Sequence, residues 1–364
     1  MLGVDFMNDE FYMNVALELA KKGMGYVSPN PMVGAVIVKD GEIIGKGYHE
    51  KYGCLHAERN AIANCVKSPE GGTIYVTLEP CCHYGKTPPC TEAIIEAGIS
   101  KVVVGAMDDN KLVSGKGVKI LREHGIEVVT GVLEKECREL NKIFFHYITN
   151  KTPYVCMKYA MTADGKIATV SGKSRWISCE KSRKKTHFLR HQYSAIMVGV
   201  NTVISDNPML TARTENGISP IRIICDTHLR TPTESNLVST AKEVPTIIAT
   251  CSDNTAEYEK FGVKIIKTAQ KDGHVDLKDL MRKLGEENID SVILEGGSNL
   301  NFSALKSGVV NELQVYVAPK IFGGERAKSP VGGAGIDEVS DAVKLKMKNM
   351  SLVGDDVLIE YEVM

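Results

Sequence analysis

The chain has 364 residues, 43% of them hydrophobic and 24% charged, which is enough for about two domains that each bury a core. Lysine and arginine number 44 against 45 aspartates and glutamates, so the net charge of −1 argues against a protein built mainly to hold nucleic-acid phosphates. No apolar run approaches the roughly 18 residues of a membrane-spanning helix, and no export signal opens the chain. Ten cysteines without such a signal indicate reduced thiols or metal ligands, so we expect a cytoplasmic protein.

Helix and strand patterns alternate over the first 150 residues. Asn8 suits the N-cap of a first helix, whose apolar face would carry Phe11, Val15 and Leu19. A hairpin with an Asp-Gly turn follows, covering residues 32–45. The sequence then predicts helices over 56–65, 91–97, 116–124 and 134–149, and strands over 73–78, 101–107 and 126–132. This alternation is typical of an α/β layered fold.

The pattern restarts after Asn150-Lys151-Thr152-Pro153, where the proline disfavours a continuing helix. Strands are predicted over 154–160, 195–200, 221–225, 246–250, 291–294 and 312–318, with helices over 180–191 and 277–287 between them. We therefore predict two α/β domains, 1–150 and 151–364, joined by a short connector.

A histidine and two cysteines in the first domain have the character of a metal site. His56-Ala57-Glu58 is followed by Pro80-Cys81 and then by Cys90. One imidazole and two thiolates supply three tetrahedral zinc ligands and leave a fourth position open, as catalytic sites do. Glu58 is too near His56 to be a convenient ligand and is instead placed to move a proton beside the metal. His-x-Glu with two later cysteines is the pattern of zinc deaminases.

The first half resembles the deaminase half of the RibD family of bifunctional riboflavin-biosynthesis enzymes. The motifs that carry the resemblance are Asn30-Pro31-Met32-Val33-Gly34, His56-Ala57-Glu58 and the run from Thr77 to Cys90. Most deaminases of the superfamily hold their cysteines as Cys-x-x-Cys, whereas in this chain, as in the RibD group, eight residues separate Cys81 from Cys90.

The resemblance implies a cytidine-deaminase-like α/β/α fold and assigns roles to the motif residues. Zinc would be held by His56, Cys81 and Cys90, with Glu58 as the proton shuttle. Substrate contacts would come from Asn30, His49, His83 and Lys86, the last of these on the ribose phosphate. Two positions depart from the family pattern: Cys82 stands where serine is expected, and Asp108-Asp109-Asn110-Lys111 where Asp-Pro-Asn-Pro is frequent.

The second half carries weaker signals of its own. Its strand at 291–294 runs into Glu295-Gly296-Gly297, and Asn299 suits the N-cap of a following helix. Glycines at that point let a phosphate approach backbone N–H groups, but they do not form a Gly-x-Gly-x-x-Gly fingerprint.

This half resembles the reductase half of the same family over residues 158–168, 174–178, 199–211 and 295–297. The resemblance implies a dihydrofolate-reductase-like α/β fold that uses NADPH. The residues it assigns to the cofactor are Ala160, Trp176, Thr202, Asp206, Gly296, Gly297, Ser298 and Asn299. Those it assigns to the substrate are Ser174, Arg190, Leu210, Arg213 and Glu295, of which the arginines suit a phosphate.

The resemblance implies two successive reactions. Zinc-dependent hydrolysis would replace the 2-amino group of 2,5-diamino-6-ribosylamino-4(3H)-pyrimidinone 5′-phosphate. NADPH would then reduce the ribosyl group, giving 5-amino-6-ribitylamino-uracil 5′-phosphate. We expect a homo-oligomer that acts on this small molecule and binds neither nucleic acid nor membranes.

Three alternatives stay open on the sequence alone. The first is a nucleotide or tRNA deaminase with an unrelated C-terminal half, which the cysteine spacing and the lack of a clustered basic segment disfavour. The second is a non-catalytic zinc-stabilised binding protein, in which Cys82 or His83 closes the metal site. The third is a chain with one active and one inactive half.

Overall fold

The computed structural model describes residues 8–85, 87–110 and 114–364. The chain divides into two compact units, Met1–Asn150 and Lys151–Met364. Within the described ranges, no helix is long and apolar enough to cross a membrane.

The first unit is built on a five-stranded sheet. Its strands are Gly34–Lys39 (β1), Glu42–Tyr48 (β2), Thr73–Leu78 (β3), Lys101–Ala106 (β4) and Glu127–Thr130 (β5). Its helices are Asp9–Ala20 (α1), Ala57–Ala63 (α2), Cys90–Glu96 (α3), Lys116–Glu123 (α4), Glu134–Leu140 (α5) and Lys142–Asn150 (α6). The strand order is β2-β1-β3-β4-β5, with β3, β4 and β5 parallel and β1 antiparallel to both of its neighbours.

Glycines let helices approach this sheet from both sides. A Cβ atom at Gly34 would lie 1.9 Å from the carbonyl oxygen of Ala16 in α1. At Gly47, which pairs with Ala35 and so faces the opposite side, it would lie 2.4 Å from the carbonyl oxygen of Ala57 in α2. The predicted α/β/α layering is therefore present, and the second of these contacts sets the position of the start of α2.

Two predictions for this unit are wrong in detail. Asn8 caps α1 as expected, but Phe11 is 41% exposed, and the buried face consists of Tyr12, Met13, Ala16, Leu17 and Ala20. The small residues of that face allow the close contact with Gly34, which turns the helix away from the predicted stripe.

The helix predicted over 134–149 is broken at Asn141. The Asn141 side chain accepts a hydrogen bond from the backbone N–H of Met32 at 2.8 Å and donates one to the Met32 carbonyl at 2.9 Å. This tie to a distant part of the chain divides the helix into α5 and α6.

The second unit is built on a nine-stranded sheet. The strands from Tyr154 onward are Tyr154–Thr162 (β6), Ala195–Gly199 (β7), Ile221–Cys225 (β8), Thr246–Thr250 (β9), Lys264–Lys267 (β10), Gln270–Lys271 (β11), His274–Val275 (β12), Ser291–Leu294 (β13), Glu312–Ala318 (β14), Leu345–Val353 (β15) and Asp356–Val363 (β16). The order in the nine-stranded sheet is β10-β9-β8-β7-β13-β6-β14-β16-β15, and β11 pairs with β12 in a separate two-stranded sheet. The helices are Glu180–Gln192 (α7), Val200–Asp206 (α8), Asn236–Ser239 (α9), Ala256–Lys260 (α10), Leu277–Glu286 (α11) and Ser298–Lys306 (α12).

All six strands predicted in this unit are present, and they form its buried parallel centre. Strand β10 and the antiparallel hairpin of β15 and β16 were not predicted. Most residues of β15 are exposed, so no continuous apolar run marks that strand.

Candidate functional site

Three potential metal ligands converge at the end of β3 in the first unit. The His56 Nδ1 atom lies 3.5 Å from Cys81 Sγ and 3.4 Å from Cys90 Sγ, and all three ligand atoms lie within 4.8 Å of one another. Tetrahedral zinc, with bonds of about 2.3 Å to sulfur and about 2.0 Å to nitrogen, requires nitrogen and sulfur about 3.6 Å apart. The donor set and its spacing therefore fit zinc. Among the described residues, neither Cys82 nor His83 belongs to this group.

Helix starts place the ligands. His56 is the N-cap residue of α2, and Cys90 is the first residue of α3. The backbone N–H of Cys90 donates to Cys81 Sγ at 3.4 Å, and that of Thr91 donates to the Cys81 carbonyl at 3.2 Å. The Thr87 hydroxyl lies 3.5 Å from His56 Nε2, which leaves Nδ1 facing the two sulfurs.

The prolines before Cys90 are fixed from α2. Arg59 donates from Nε to the Pro88 carbonyl at 3.2 Å and from Nη2 to the Pro89 carbonyl at 2.8 Å. The guanidinium thus ties the helix that follows His56 to the turn that presents Cys90.

Glu58 lies buried beside the cluster and is only 3% exposed. Burial raises the pKa of Glu58 to about 7, and its side chain is hydrogen-bonded with that of Cys90. Hydrogen bonds with Cys90 and His56 hold the pKa of the Cys81 thiol well below its usual range. The site therefore combines a carboxyl group able to gain and lose a proton near neutrality with a thiol disposed to ionise.

Two of the predicted substrate residues lie beside the cluster. The His49 ring contacts the His56 ring edge-on, with centroids 5.3 Å apart. His49 Nδ1 is 3.1 Å from the Leu55 carbonyl, so that nitrogen carries the proton and Nε2 accepts from the Asn30 amide at 3.3 Å. Burial lowers the pKa of His49, which favours this neutral form.

The other two predicted contacts are placed differently. His83 is exposed, and Lys86 lies outside the described residues. Asp108, which stands out in the sequence only as part of a motif that departs from the family pattern, is affected by the charge of His83. Asp108 is 7% exposed, and burial raises its pKa to about 6, while the charge of His83 opposes that rise.

In the second unit, an ion pair joins two residues predicted at the substrate. Arg190 donates to the Glu295 carboxylate from Nε at 2.9 Å and from Nη2 at 2.8 Å, and both side chains are largely buried. Burial opposes ionisation of Glu295, but Arg190 and Lys158 together lower its pKa to about 2. Burial also lowers the pKa of Lys158, whose ammonium lies 5.3 Å from the centre of the Tyr316 ring.

No role was predicted for Lys158 itself, because no motif identifies a lysine in the middle of a strand. The remaining predicted substrate residues are varied in exposure: Leu210 is buried, Ser174 half-buried and Arg213 exposed. The backbone of Leu210 has a positive φ of 54°.

Contacts link several residues predicted at the cofactor. Arg175 donates to the Asp206 carbonyl at 2.9 Å and so attaches the neighbouring Trp176 to α8. Trp176 is 62% exposed, with the Arg183 guanidinium 4.7 Å from its ring centre. Ala160 is half-buried in β6, where it pairs with Tyr316.

The glycine turn after β13 opens α12, although not at the predicted cap. Gly297 is the N-cap residue, and Asn299 lies exposed inside the first turn, so the cap predicted at Asn299 is wrong. The Ser298 hydroxyl donates to the Ser329 carbonyl at 2.7 Å, which fixes the helix start one residue after the glycines.

This turn fits a dinucleotide phosphate. Among the residues that the structure describes, no side chain caps the N-terminus of α12, and a Cβ at Gly297 would lie 3.7 Å from the Thr202 hydroxyl. The buried Asn301 Oδ1 atom next to Gly296 has no hydrogen-bond partner within the described part of the chain. Backbone N–H groups at a helix start bind phosphate well, so the residues present suit NADPH.

The fold and the metal cluster define a zinc-dependent deaminase unit followed by a reductase unit. Residues 7–106 match the family model of the cytidine and deoxycytidylate deaminase zinc-binding region. Residues 153–359 match the model of the RibD C-terminal domain, which excludes an unrelated C-terminal half.

Relatives match along nearly the whole chain. The riboflavin biosynthesis protein RibD of Actinobacillus pleuropneumoniae is 56% identical over 98% of this chain and 96% of its own length. That of Aquifex aeolicus is 46% identical over 97% of this chain and 98% of its own. The crystal structure of a diaminohydroxyphosphoribosylaminopyrimidine deaminase/5-amino-6-(5-phosphoribosylamino)uracil reductase from Thermotoga maritima superposes with a TM-score of 0.89 at 41% identity, covering 98% of this chain and 99% of that one. The chain belongs to the RibD family of bifunctional riboflavin-biosynthesis deaminases and reductases.

The two adjacent cysteines provide a test of the metal site. We expect Cys81→Ser to lose zinc, because Cys81 Sγ is in the ligand group, and Cys82→Ser to keep one zinc per chain. Metal content of the purified variants, measured by mass spectrometry of the eluted metal, decides between them. Loss of zinc from Cys82→Ser would contradict the three-ligand site.

Proposed function

We propose that the first unit removes the 2-amino group of 2,5-diamino-6-ribosylamino-4(3H)-pyrimidinone 5′-phosphate and that the second reduces the ribosyl group of the product to ribityl. The observation that carries this proposal is the grouping of His56, Cys81 and Cys90 around one point, with the buried Glu58 beside them. Three ligands rather than four suit a metal that takes part in a reaction.

In the first reaction, bound zinc would supply a Lewis acid that lowers the pKa of a water molecule. His56, Cys81 and Cys90 would hold it. Glu58 takes the first proton from the attacking water and delivers it to the ring nitrogen, where it stays. It then takes the second proton, from the hydroxyl group formed on the ring carbon, and delivers it to the departing amine. Water oxygen forms the new bond to the ring carbon, the bond from that carbon to nitrogen breaks, and ammonia leaves.

The substrate is held by polar groups around the cluster. The neutral His49 ring and the Asn30 amide present donors and acceptors beside His56. His83 and Asp108 supply a second pair of polar groups, which carry opposite charges. Lys86 belongs to this part of the proposal as the phosphate contact.

In the second reaction, NADPH bound at the Gly296–Asn299 turn would supply a hydride to C1′ of the ribosyl group. The bond between C1′ and the ring oxygen breaks, and that oxygen must gain a proton to become a hydroxyl group. Lys158 is suited to donate it, because its burial favours loss of the proton. Arg190 holds the Glu295 carboxylate in place, and the exposed Arg213 remains for the phosphate.

The sheet edge supports the further proposal of a homo-oligomer. β15 ends the nine-stranded sheet, and its exposed Leu345, Met347, Met350 and Leu352 pair with successive residues of one face of β16. The occupant that suits this face is the same face of a second copy of the chain, because both subunits of a two-fold dimer use the same surface.

We expect Met347→Glu to shift the protein towards monomer in sedimentation velocity, because it places a charge in this apolar face. A monomeric parent protein would contradict the proposal.

The cysteines support action in the cytoplasm, which is part of the same proposal. All ten are free thiols, and two of them serve as metal ligands only when reduced.

Glu58→Gln tests the deaminase directly. We expect deamination to fall by about 10²–10⁴-fold, because glutamine cannot carry the proton, while zinc content and the reductase activity stay unchanged. The matched control is Glu96→Gln, an exposed glutamate of α3. Deamination by Glu58→Gln near the parent rate would contradict the role of Glu58.

The proton donation proposed for Lys158 predicts that the reductase activity depends on pH. Its proton must be present for donation, and burial lowers the pKa of Lys158, so kcat should fall as pH rises through a value below the roughly 10.4 of a free lysine. The measurement is reduction of the deaminated substrate across pH 6 to about 10, with Lys158→Met as the inactive variant and the exposed Lys173→Met as control. A kcat that stays flat throughout, or an active Lys158→Met, would contradict the assignment.

A further inference from the structure

One buried carboxylate next to the metal cluster has no role in the chemistry proposed above. Glu79 follows the end of β3 and precedes Cys81 by two residues, and it is 3% exposed. Its Oε2 atom accepts from the backbone N–H of Gly115 at 3.0 Å and of Asp108 at 3.4 Å. Its Oε1 atom accepts from the backbone N–H of Val118 at 3.2 Å. Three backbone groups from beyond β4 thus converge on this one side chain.

Glu79 provides the cap that α4 lacks in its own sequence. The N-cap residue Gly115 has no side chain and a φ of 74°, and Val118 is the third residue of the helix. An N-cap side chain ordinarily accepts from the N–H of the second or third helical residue. The Glu79 carboxylate makes that bond from another part of the chain, and its charge complements the positive end of the helix.

The start of α4 also packs directly on the turn that carries Cys81. A Cβ atom at Gly117 would lie 2.2 Å from the Pro80 carbonyl oxygen and 3.3 Å from Glu79 Oε1. Only glycine fits there, because a real Cβ atom cannot come so close to a backbone oxygen. The steric contact of Gly117 with Pro80 and the hydrogen bonds to Glu79 therefore hold the start of α4 at the same distance from this turn.

Asp108 is the third group held by Glu79. Its side chain is buried, accepts from the backbone N–H of Asn110 at 2.8 Å and interacts with the charge of His83. The backbone of Asp108 is therefore tied to Glu79, while its buried carboxyl group is affected by the charge of His83.

We propose that Glu79 is a positioning residue of the deaminase reaction, which sets Asp108 and the start of α4 at a fixed distance from the Pro80–Cys81 turn. Its effect falls on substrate binding through Asp108, and the metal stays in place because α3 independently fixes Cys81. The inference rests on the proposed deaminase function, since it concerns the residues around that substrate.

The test is Glu79→Gln in the full chain. Glutamine replaces one carboxylate oxygen with an NH₂ group, which cannot accept a hydrogen bond from a backbone N–H. Either Asp108 or the start of α4 therefore loses its acceptor. We expect KM for the diaminopyrimidine phosphate to rise about tenfold to a hundredfold, with zinc kept at one per chain and the reductase activity unchanged. Gly117→Ala should produce the same rise in KM, because it pushes α4 away from Pro80.

Tyr75→Phe is the matched control for general loss of stability. It removes a hydrogen bond of 2.8 Å to Asp9 from the same strand, away from α4, and should leave KM unchanged. A KM for Glu79→Gln within twofold of the parent, or no greater than that of Tyr75→Phe, would overturn the inference. Loss of zinc from Glu79→Gln would also overturn it, because Glu79 would then support the metal ligand. A parent chain that does not deaminate the substrate would instead contradict the proposed function.

Discussion

The first unit depends on two helix starts that meet at one end of β3. His56 caps α2, Cys90 opens α3, and Cys81 receives a backbone hydrogen bond from each of the first two residues of α3. The close contact of α2 with Gly47 determines where the first of these starts lies. If either helix shifted, the three ligand atoms would no longer lie within reach of one metal ion, and Glu58 would leave the cluster.

The two units use charge differently. In the first, burial raises the pKa of Glu58 to about 7, which makes the carboxyl group available both to take and to give a proton. In the second, Arg190 and Lys158 overcome the effect of burial and keep Glu295 ionised. A carboxyl group that exchanges protons suits hydrolysis, whereas a fixed anion suits the orientation of a substrate that receives a hydride.

The grouping of His56, Cys81 and Cys90 could be predicted from the sequence because their pattern is local and chemically specific. Their role as metal ligands and that of Glu58 as proton shuttle stay predictions. Strand 73–78 and four strands of the second unit were also predicted to the residue, since continuous apolar runs mark them. Asn141, Glu79 and Lys158 were missed because their roles depend on distant contacts: Asn141 bonds a residue 109 positions away, and the partners of Glu79 lie 29 to 39 positions on. The cap of α12 was misplaced because Asn299 is a good capping residue type, whereas a tertiary bond from Ser298 decides the helix start.

The presence of two complete activities in one chain is tested most directly by analysis of the products. Purified zinc-loaded protein would be given the diaminopyrimidine ribosylamino phosphate and NADPH, and the products identified by mass spectrometry. We predict a product in which an oxo group replaces the amino group and two hydrogens have been added. Replacement without the added hydrogens would contradict the reductase assignment, and unchanged substrate at one zinc per chain would contradict the account as a whole.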